Sequence, residues 1–260
     1  MSSFLLCRPD FFNISYSINP WMNNEKVDVS NALRQWQNLE FELKINGCNV
    51  ETIDQVQGLP DMVFTANAGT VHKNNIVMSN FKHKERRDER AIFREWFDKK
   101  NYNIIDLHET MIFEGCGDTA IHNNIMIGGY GFRSDLISLE VAAGALNISL
   151  VDVKLVDPRF YHLDTCFCIV SKNEAIFYPG AFDKKSISKL ETVFDLIPVT
   201  EEDAEQFICN SVIVGDTMIM PKNSSKITKK LAQKKIKMVQ IDLSEFKKSG
   251  GSAQCLCLKI

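Results

Sequence analysis

Asp164-Thr165-Cys166-Phe167-Cys168-Ile169-Val170-Ser171-Lys172-Asn173-Glu174-Ala175-Ile176-Phe177-Tyr178-Pro179-Gly180 sets two short apolar runs on either side of a polar turn and ends in a Pro-Gly stop. Apolar, β-prone runs around a Ser-Lys-Asn-Glu turn predict a β-hairpin. Three more segments share the pattern. Met62–Met78 turns at His72–Asn75, Met111–Ile127 turns at His122–Asn124 ahead of Gly128-Gly129, and Cys209–Met220 turns at Gly215-Asp216 ahead of Pro221. A polar residue marks each hairpin start: Asn67, Asp118, Asp164 and Asn210, followed by Cys255. Subtracting their numbers gives intervals of 51, 46, 46 and 45 residues. A regular interval of this size is the signature of a repeated supersecondary unit.

Helical patterns fall between the hairpins, at Glu85–Lys99, Asp135–Leu146, Lys184–Leu196 and Ser225–Lys235. Another covers Val29–Leu43, where Leu33, Trp36, Leu39 and Leu43 recur at helical spacing. The chain therefore reads as an α/β fold of about five strand–strand–helix units. A last strand, Ala253–Ile260, lacks a hairpin partner after it, and Phe4–Cys7 is the natural strand to pair with it. That pairing closes a ring, removes exposed sheet edges and gathers the recurrent polar positions at one end of a central channel. A chain of 260 residues fits a single domain, 1–260.

Composition excludes several classes. With 45% hydrophobic and 24% charged residues and a formal net charge of −3, the chain has no electrostatic footprint for nucleic acid or an anionic membrane. Lys222–Lys237 reads as a solvated helical face with alternating apolar positions. The apolar run near the N-terminus is broken by Arg8 and Pro9, too early for a signal peptide, and no stretch approaches the length of a membrane helix. Eight scattered cysteines, none in a Cys-x-x-Cys pair, point to free thiols in a reducing cytoplasm. A small-molecule partner is expected, and the sequence leaves a homo-oligomer open.

Cys255 follows Lys248-Ser249-Gly250-Gly251-Ser252-Ala253-Gln254. Paired glycines allow close backbone approach beside a thiol at a strand start, and a thiolate attacks electron-poor carbon well. Cys255 is equally read as a small buried hydrophobe, and Cys257 on the same strand face is a rival. His162 and Asp164 alternate onto one face of an extended segment, an arrangement suited to proton transfer. His72 and His122 fall in turns and are expected to face solvent. Glu114 and Asp118 bracket Gly115-Cys116-Gly117, which suggests backbone packed against a ligand, or else a bulge with surface acids. Asp61 interrupts an apolar run. Arg86, Arg87 and Arg133 are candidates to grip a carboxylate from the rim. Several anions, one thiol, one imidazole and planar cations describe a pocket for free arginine. No His-x-x-x-His or ligand-spaced cluster supports a metal, and neither metal nor cofactor is expected.

Leu59-Pro60-Asp61-Met62-Val63-Phe64-Thr65-Ala66-Asn67-Ala68-Gly69, Phe113-Glu114-Gly115-Cys116-Gly117-Asp118, His162-Leu163-Asp164 and Gly250-Gly251-Ser252-Ala253-Gln254-Cys255 resemble the guanidino-group-modifying (pentein) superfamily. The resemblance spans nearly the whole chain. It implies a fivefold pseudosymmetric α/β propeller of ββαβ units, in accord with the repeat. Ser17-Ile18-Asn19-Pro20-Trp21-Met22 and Asn67 draw the likeness toward arginine dihydrolases, where both Asn19 and Asn67 would belong to the site. The resemblance implies that Cys255 attacks the guanidinium carbon and that His162 protonates departing ammonia and then activates water. Glu114 and Asp164 would hold guanidinium nitrogens and orient the imidazole, with Asp61 beside them. Arg133 and Arg86 would bind the substrate carboxylate. Dihydrolysis would give ornithine, carbon dioxide and two ammonia. The alternatives are a deiminase or dimethylarginine hydrolase stopping at citrulline, an amidinotransferase, and a silent guanidine-binding module. Cys116, in place of the glycine more usual beside Gly115, departs from the family pattern.

Overall fold

The computed structural model describes residues 2–23, 25–222 and 227–260. In chain order the elements are β1 (Ser3–Cys7), α1 (Val29–Ile45), β2 (Asn49–Ile53), β3 (Gly69–His72), β4 (Asn75–Met78), α2 (Glu89–Lys99) and β5 (Asn103–Ile105). Next come β6 (Thr119–His122), β7 (Ile125–Tyr130), α3 (Leu136–Ala145), β8 (Ser149–Lys154), β9 (Phe167–Ile169), β10 (Glu174–Phe177), α4 (Lys184–Glu191) and β11 (Asp195–Pro198). The remainder is α5 (Glu201–Glu205), β12 (Val212–Val214), β13 (Thr217–Pro221), α6 (Ile227–Gln233), β14 (Lys237–Ile241), α7 (Ser244–Lys247) and β15 (Leu258–Lys259).

These strands form five separate three-stranded sheets. In four of them an antiparallel hairpin is followed by a helix that returns the chain as a parallel third strand: β3-β4-β5, β6-β7-β8, β9-β10-β11 and β12-β13-β14. The fifth, β15-β1-β2, draws on both ends of the chain. Phe4 and Leu5 pair antiparallel with Lys259 and Leu258, while β1 runs parallel to β2. The ring-closing pairing predicted from the sequence is present. Every sheet contributes to the wall of a shared cavity of about 460 Å³, four through Val71, Ala120, Phe167 and Val212 and the fifth through Phe4 and Lys259. The architecture is a fivefold α/β propeller.

Each helix lays one stripe on its sheet. On α1 the buried positions are Ala32, Gln35, Trp36, Leu39 and Leu43, and Asp28 caps the first turn by accepting from Asn31 N at 3.0 Å. Four units stop their helix with a residue of positive φ: Gly47 (84°), Asn101 (60°), Asn147 (54°) and Lys235 (64°). A left-handed residue turns the chain out of the helix and into the third strand.

Several boundaries differ from expectation. The chain at or just before the expected hairpin starts makes tight 3₁₀ turns, at Pro60–Val63, Thr65–Ala68, Gly115–Gly117 and Leu163–Thr165. The helix expected over Lys184–Leu196 ends at Glu191, and Leu196 enters β11. Glu85–Lys99 begins as a separate 3₁₀ turn, Lys84–Arg86. The helix expected over Ser225–Lys235 is described only from Ile227, since positions 225 and 226 lie outside the described residues; Ile227 and Leu231 are buried, and Lys237 belongs to a strand. His72 and His122 are half-buried, and His122 packs on Phe194 at 5.2 Å.

Asn101→Ala and Asn147→Ala should each destabilise the fold by about 1 kcal/mol, because Ala lacks the short polar side chain that lets Asn tolerate the left-handed region, whereas Lys235→Gly removes a strained Cβ and should stabilise it. Urea unfolding checks this, and an equal effect of all three substitutions would contradict the helix-stop reading.

Candidate active site

Cys255 lies in a turn over residues 253–256, ahead of β15, and not on a strand as its spacing suggested. Both cysteines are buried, but only Cys255 lines the pocket, and its rival Cys257 does not. The two glycines before it behave as their sequence implied. Gly250 takes φ 85° with Asn19 against it, and a Cβ on Gly251 would stand 2.5 Å from Phe64 and 3.2 Å from the Cys255 Cβ. Asn210, from the preceding unit, fixes this turn. Its Oδ1 accepts from Ser252 N and Cys255 N at 3.0 and 3.2 Å, and its Nδ2 donates to Cys255 Sγ at 3.0 Å and to Asp164 O at 3.1 Å. The repeat marked Asn210 as equivalent to Cys255 without giving it a place in the site.

The thiol donates to Asp164 Oδ2 at 3.1 Å. Burial, then the Asp164 charge and hydrogen bond, push the Cys255 thiol well above its ordinary value. Burial also pushes Asp164 up to about 7, against the hydrogen bonds from Cys255 and Asn210. The resting sulfur is thus a protonated thiol held against a carboxyl.

His162 and Asp164 do not share one face. His162 is extended, the chain then enters the 3₁₀ turn Leu163–Thr165, and the two side chains take different partners. His162 Nε2 is 2.9 Å from Glu114 Oε2, and Arg133 Nη1 donates to the same oxygen at 2.8 Å. Lys82 N donates to Glu114 Oε1 at 3.1 Å. Burial alone would raise Glu114, but Arg133 and the His162 hydrogen bond outweigh it and hold the carboxyl well below the usual range. An ionised carboxylate only accepts, so Nε2 carries the proton in this pair.

Neither Arg86 nor Arg133 sits at a rim, and the exposed Arg87 donates to Phe81 O at 3.2 Å and Lys82 O at 3.1 Å, outside the pocket. Arg86 forks onto Glu89 at 2.9 and 2.8 Å and donates to Asn67 Oδ1 at 2.9 Å and Asp61 O at 3.0 Å. Arg133 rests over the Tyr161 ring at 4.6 Å and donates to Ile18 O at 2.9 Å. Asp61 accepts from Tyr16 at 3.0 Å and Ser249 at 3.4 Å. Asn67 Nδ2 donates to Glu114 O at 3.3 Å, so its amide orientation is set by Arg86 on one side and that carbonyl on the other. A Cβ at Gly117 would fall 2.2 Å from Asn67 Nδ2. The tight backbone around Glu114 thus serves Asn67 and His162, while Cys116 lines the propeller cavity. Asn19 donates to Ser249 O at 3.0 Å and accepts from Trp21 N at 2.9 Å, locking the covering segment over the site. Glu89, Tyr16, Tyr161 and Ser249 carried no sequence signal, since their roles arise from contacts between units.

The pocket among Asn19, Asp61, Asn67, Arg86, Arg133, His162 and Cys255 encloses about 10 Å³, room for one water molecule. Ile18, Asn19 and Met22 form part of its wall. Among the described residues no group of three His, Cys, Asp or Glu side chains could hold a metal ion, and no helix is long and apolar enough to cross a membrane.

The sequence model of eukaryotic N,N-dimethylarginine dimethylhydrolases matches residues 13–260. The chain is 40% identical, over 99% of its length, to the bifunctional arginine dihydrolase/ornithine cyclodeaminase AgrE of Nostoc sp., of which it covers 37%. It thus spans little more than a third of that relative. It is 35% identical, over 97% of its length and 83% of the relative's, to the N(G),N(G)-dimethylarginine dimethylaminohydrolase of Mycobacterium tuberculosis. The crystal structure of the product-bound N-terminal domain of ArgZ, a cyanobacterial arginine dihydrolase, superposes with a TM-score of 0.97 at 40% identity, covering 99% of this chain and 97% of that one.

Because the Asp164 charge and hydrogen bond both raise the Cys255 thiol, Asp164→Asn should move the pH midpoint of Cys255 alkylation downward. Iodoacetamide rates followed by peptide mass spectrometry test this. An unchanged or higher midpoint would show that Asp164 does not govern the thiol.

Proposed function

The chain belongs to the dimethylarginine dimethylhydrolase family, and from that premise we propose that it hydrolyses the guanidino group of arginine twice, releasing ornithine, carbon dioxide and two ammonia. The observation that carries the reading is a thiol, a carboxyl-paired imidazole and an asparagine lining one pocket with two arginines. We take residues 1–260 as one catalytic propeller, supported by the five sheets around one cavity. Cytoplasmic placement is supported by eight unpaired thiols.

Each side chain has a role in this account. The guanidinium enters beside Asp61 and Asn67, and its positive charge lowers the Cys255 thiol pKa as it arrives, letting Asp164 take the proton. Sγ then bonds to the guanidinium carbon. The C–N bond breaks, with His162 supplying the proton to ammonia and Glu114 stabilising the imidazole. Water activated by His162 cleaves the S–C bond. Arg133, whose guanidinium keeps N–H groups beyond its bonds to Glu114 and Ile18, receives the substrate carboxylate. Arg86 is more fully engaged, by Glu89, Asn67 and Asp61, and contributes mainly by holding Asn67.

Asn67 favours two rounds over one. A pocket walled only by carboxylates suits the cationic substrate and expels a neutral ureido product. The Asn67 amide keeps a second N–H and a second lone pair, which match a ureido oxygen and nitrogen. A dimethylarginine hydrolase stopping at citrulline is the second reading, favoured by the family model and the mycobacterial relative. Incubation with arginine and with dimethylarginine, quantifying ornithine, citrulline and ammonia, separates the two.

Asn67→Asp should raise the citrulline-to-ornithine ratio about tenfold, the effect of losing one hydrogen bond worth about 1.4 kcal/mol. Ornithine yield unchanged in this variant would remove Asn67 from the explanation.

A further inference from the structure

Asn210 is fully buried and stands one repeat interval before Cys255. A primary amide offers two N–H donors and two carbonyl lone pairs, and in Asn210 all four are in use. Its Oδ1 accepts from Ser252 N at 3.0 Å and Cys255 N at 3.2 Å, and its Nδ2 donates to Asp164 O at 3.1 Å and Cys255 Sγ at 3.0 Å. The two backbone donors decide which end of the amide is oxygen. A flipped amide would press its own N–H groups against two others and turn a lone pair toward the sulfur. The side chain is therefore held with a donor on Sγ.

The sulfur has two polar side chains beside it, and they favour opposite states. Asp164 Oδ2 accepts from the thiol at 3.1 Å, and its charge favours the neutral form. Asn210 Nδ2 can only donate, and a donor binds an anion more strongly than a neutral thiol. Its hydrogen bond accordingly pulls the thiol down, as the Ser252 backbone does, against burial and Asp164. Among the described residues no other side chain donates to this sulfur.

Resting on the reading of Cys255 as the nucleophile, we infer that Asn210 is a further catalytic residue, whose amide N–H stabilises the Cys255 thiolate while its carbonyl oxygen holds the turn that carries it. The bonds to Ser252 N and Cys255 N orient the amide, and the oriented amide meets the sulfur. As the thiol proton moves to Asp164 Oδ2, negative charge grows on Sγ and the Asn210 bond strengthens with it. When water later cleaves the S–C bond, the electron pair returns to Sγ, and the same N–H stabilises the departing thiolate.

Two substitutions separate the sulfur bond from the holding of the turn. Asn210→Ala removes both, whereas Asn210→Asp keeps oxygen for the two backbone N–H groups and sets an acceptor against the sulfur. Alkylation of Cys255 by iodoacetamide, at one pH below the thiol midpoint, should slow about fivefold in Asn210→Ala and further in Asn210→Asp. With arginine, kcat of Asn210→Ala should fall about thirtyfold while KM stays within about twofold of the parent. An amide that only holds the turn predicts the reverse order, with Asn210→Asp nearer the parent. The unmodified protein offers a check free of folding effects. In protein labelled with heavy nitrogen, the side-chain amide proton signals of Asn210 should move downfield as Cys255 ionises. Parent-like alkylation in folded Asn210→Ala, faster alkylation in Asn210→Asp than in Asn210→Ala, or Asn210 signals that do not follow Cys255, overturns the assignment. Slowed alkylation in a protein that turns over no arginine would support the bond to sulfur and overturn the proposed function instead.

Discussion

Cys255 reaches the site because β15 pairs with β1 only three residues further on. That two-residue antiparallel contact, Phe4 with Lys259 and Leu5 with Leu258, completes the fifth sheet. It also fixes where the preceding turn stands relative to the other four units. Thr65 reinforces it, its hydroxyl lying 2.9 Å from both Leu5 O and Leu256 O. Asn210 then ties the turn to the neighbouring unit by two backbone N–H groups. A nucleophile positioned by long-range pairing needs no helix or strand of its own. The consequence is that its geometry depends on closure of the whole fold, since local propensity contributes little at Ser252–Cys257.

Charge balance is the second constraint. Burying a carboxylate or guanidinium alone costs several kcal/mol, so each must meet a partner of good geometry. Glu114 meets Arg133 and His162, and Arg86 meets Glu89 with two parallel bonds. Asp61 is further from any cation, and burial raises its pKa against the pull of Arg86 and the Tyr16 hydrogen bond. The pocket is thus nearly neutral at its arginines and short of positive charge near Asp61 and Asp164. In the proposed function a guanidinium supplies that charge, and its arrival frees the thiolate.

Much of this was legible in the sequence. The hairpin turns announced themselves through Asn, Gly and Lys at turn positions, and the recurrence of Asn67, Asp118, Asp164, Asn210 and Cys255 at intervals of 45 to 51 residues marked the repeated unit. The third strand of each unit escaped the residue patterns. β2, β5, β8, β11 and β14 are short and half-exposed, and their start signal is the left-handed residue closing the helix before most of them, such as Asn101 or Asn147. The face-sharing argument for His162 and Asp164, and for Cys255 and Cys257, failed for one reason: it assumed extended backbone where the chain makes a tight turn. Placing Arg86 and Arg133 at a rim failed because their anions, Glu89 and Glu114, come from packing that spacing does not reveal. Asp118 was read as a possible ligand neighbour, but it braces Ser134 and Leu163 N.

In the proposed function, covalent attack by Cys255 on a guanidinium carbon is the step from which every other role follows. Rapid mixing with arginine, acid quenching within one turnover and mass spectrometry of the peptide containing Cys255 observe it directly. The account predicts an adduct on Cys255 with the mass of arginine less ammonia, absent in Cys255→Ser. Turnover of arginine by Cys255→Ser, or an unmodified Cys255 throughout turnover of the parent protein, would contradict it.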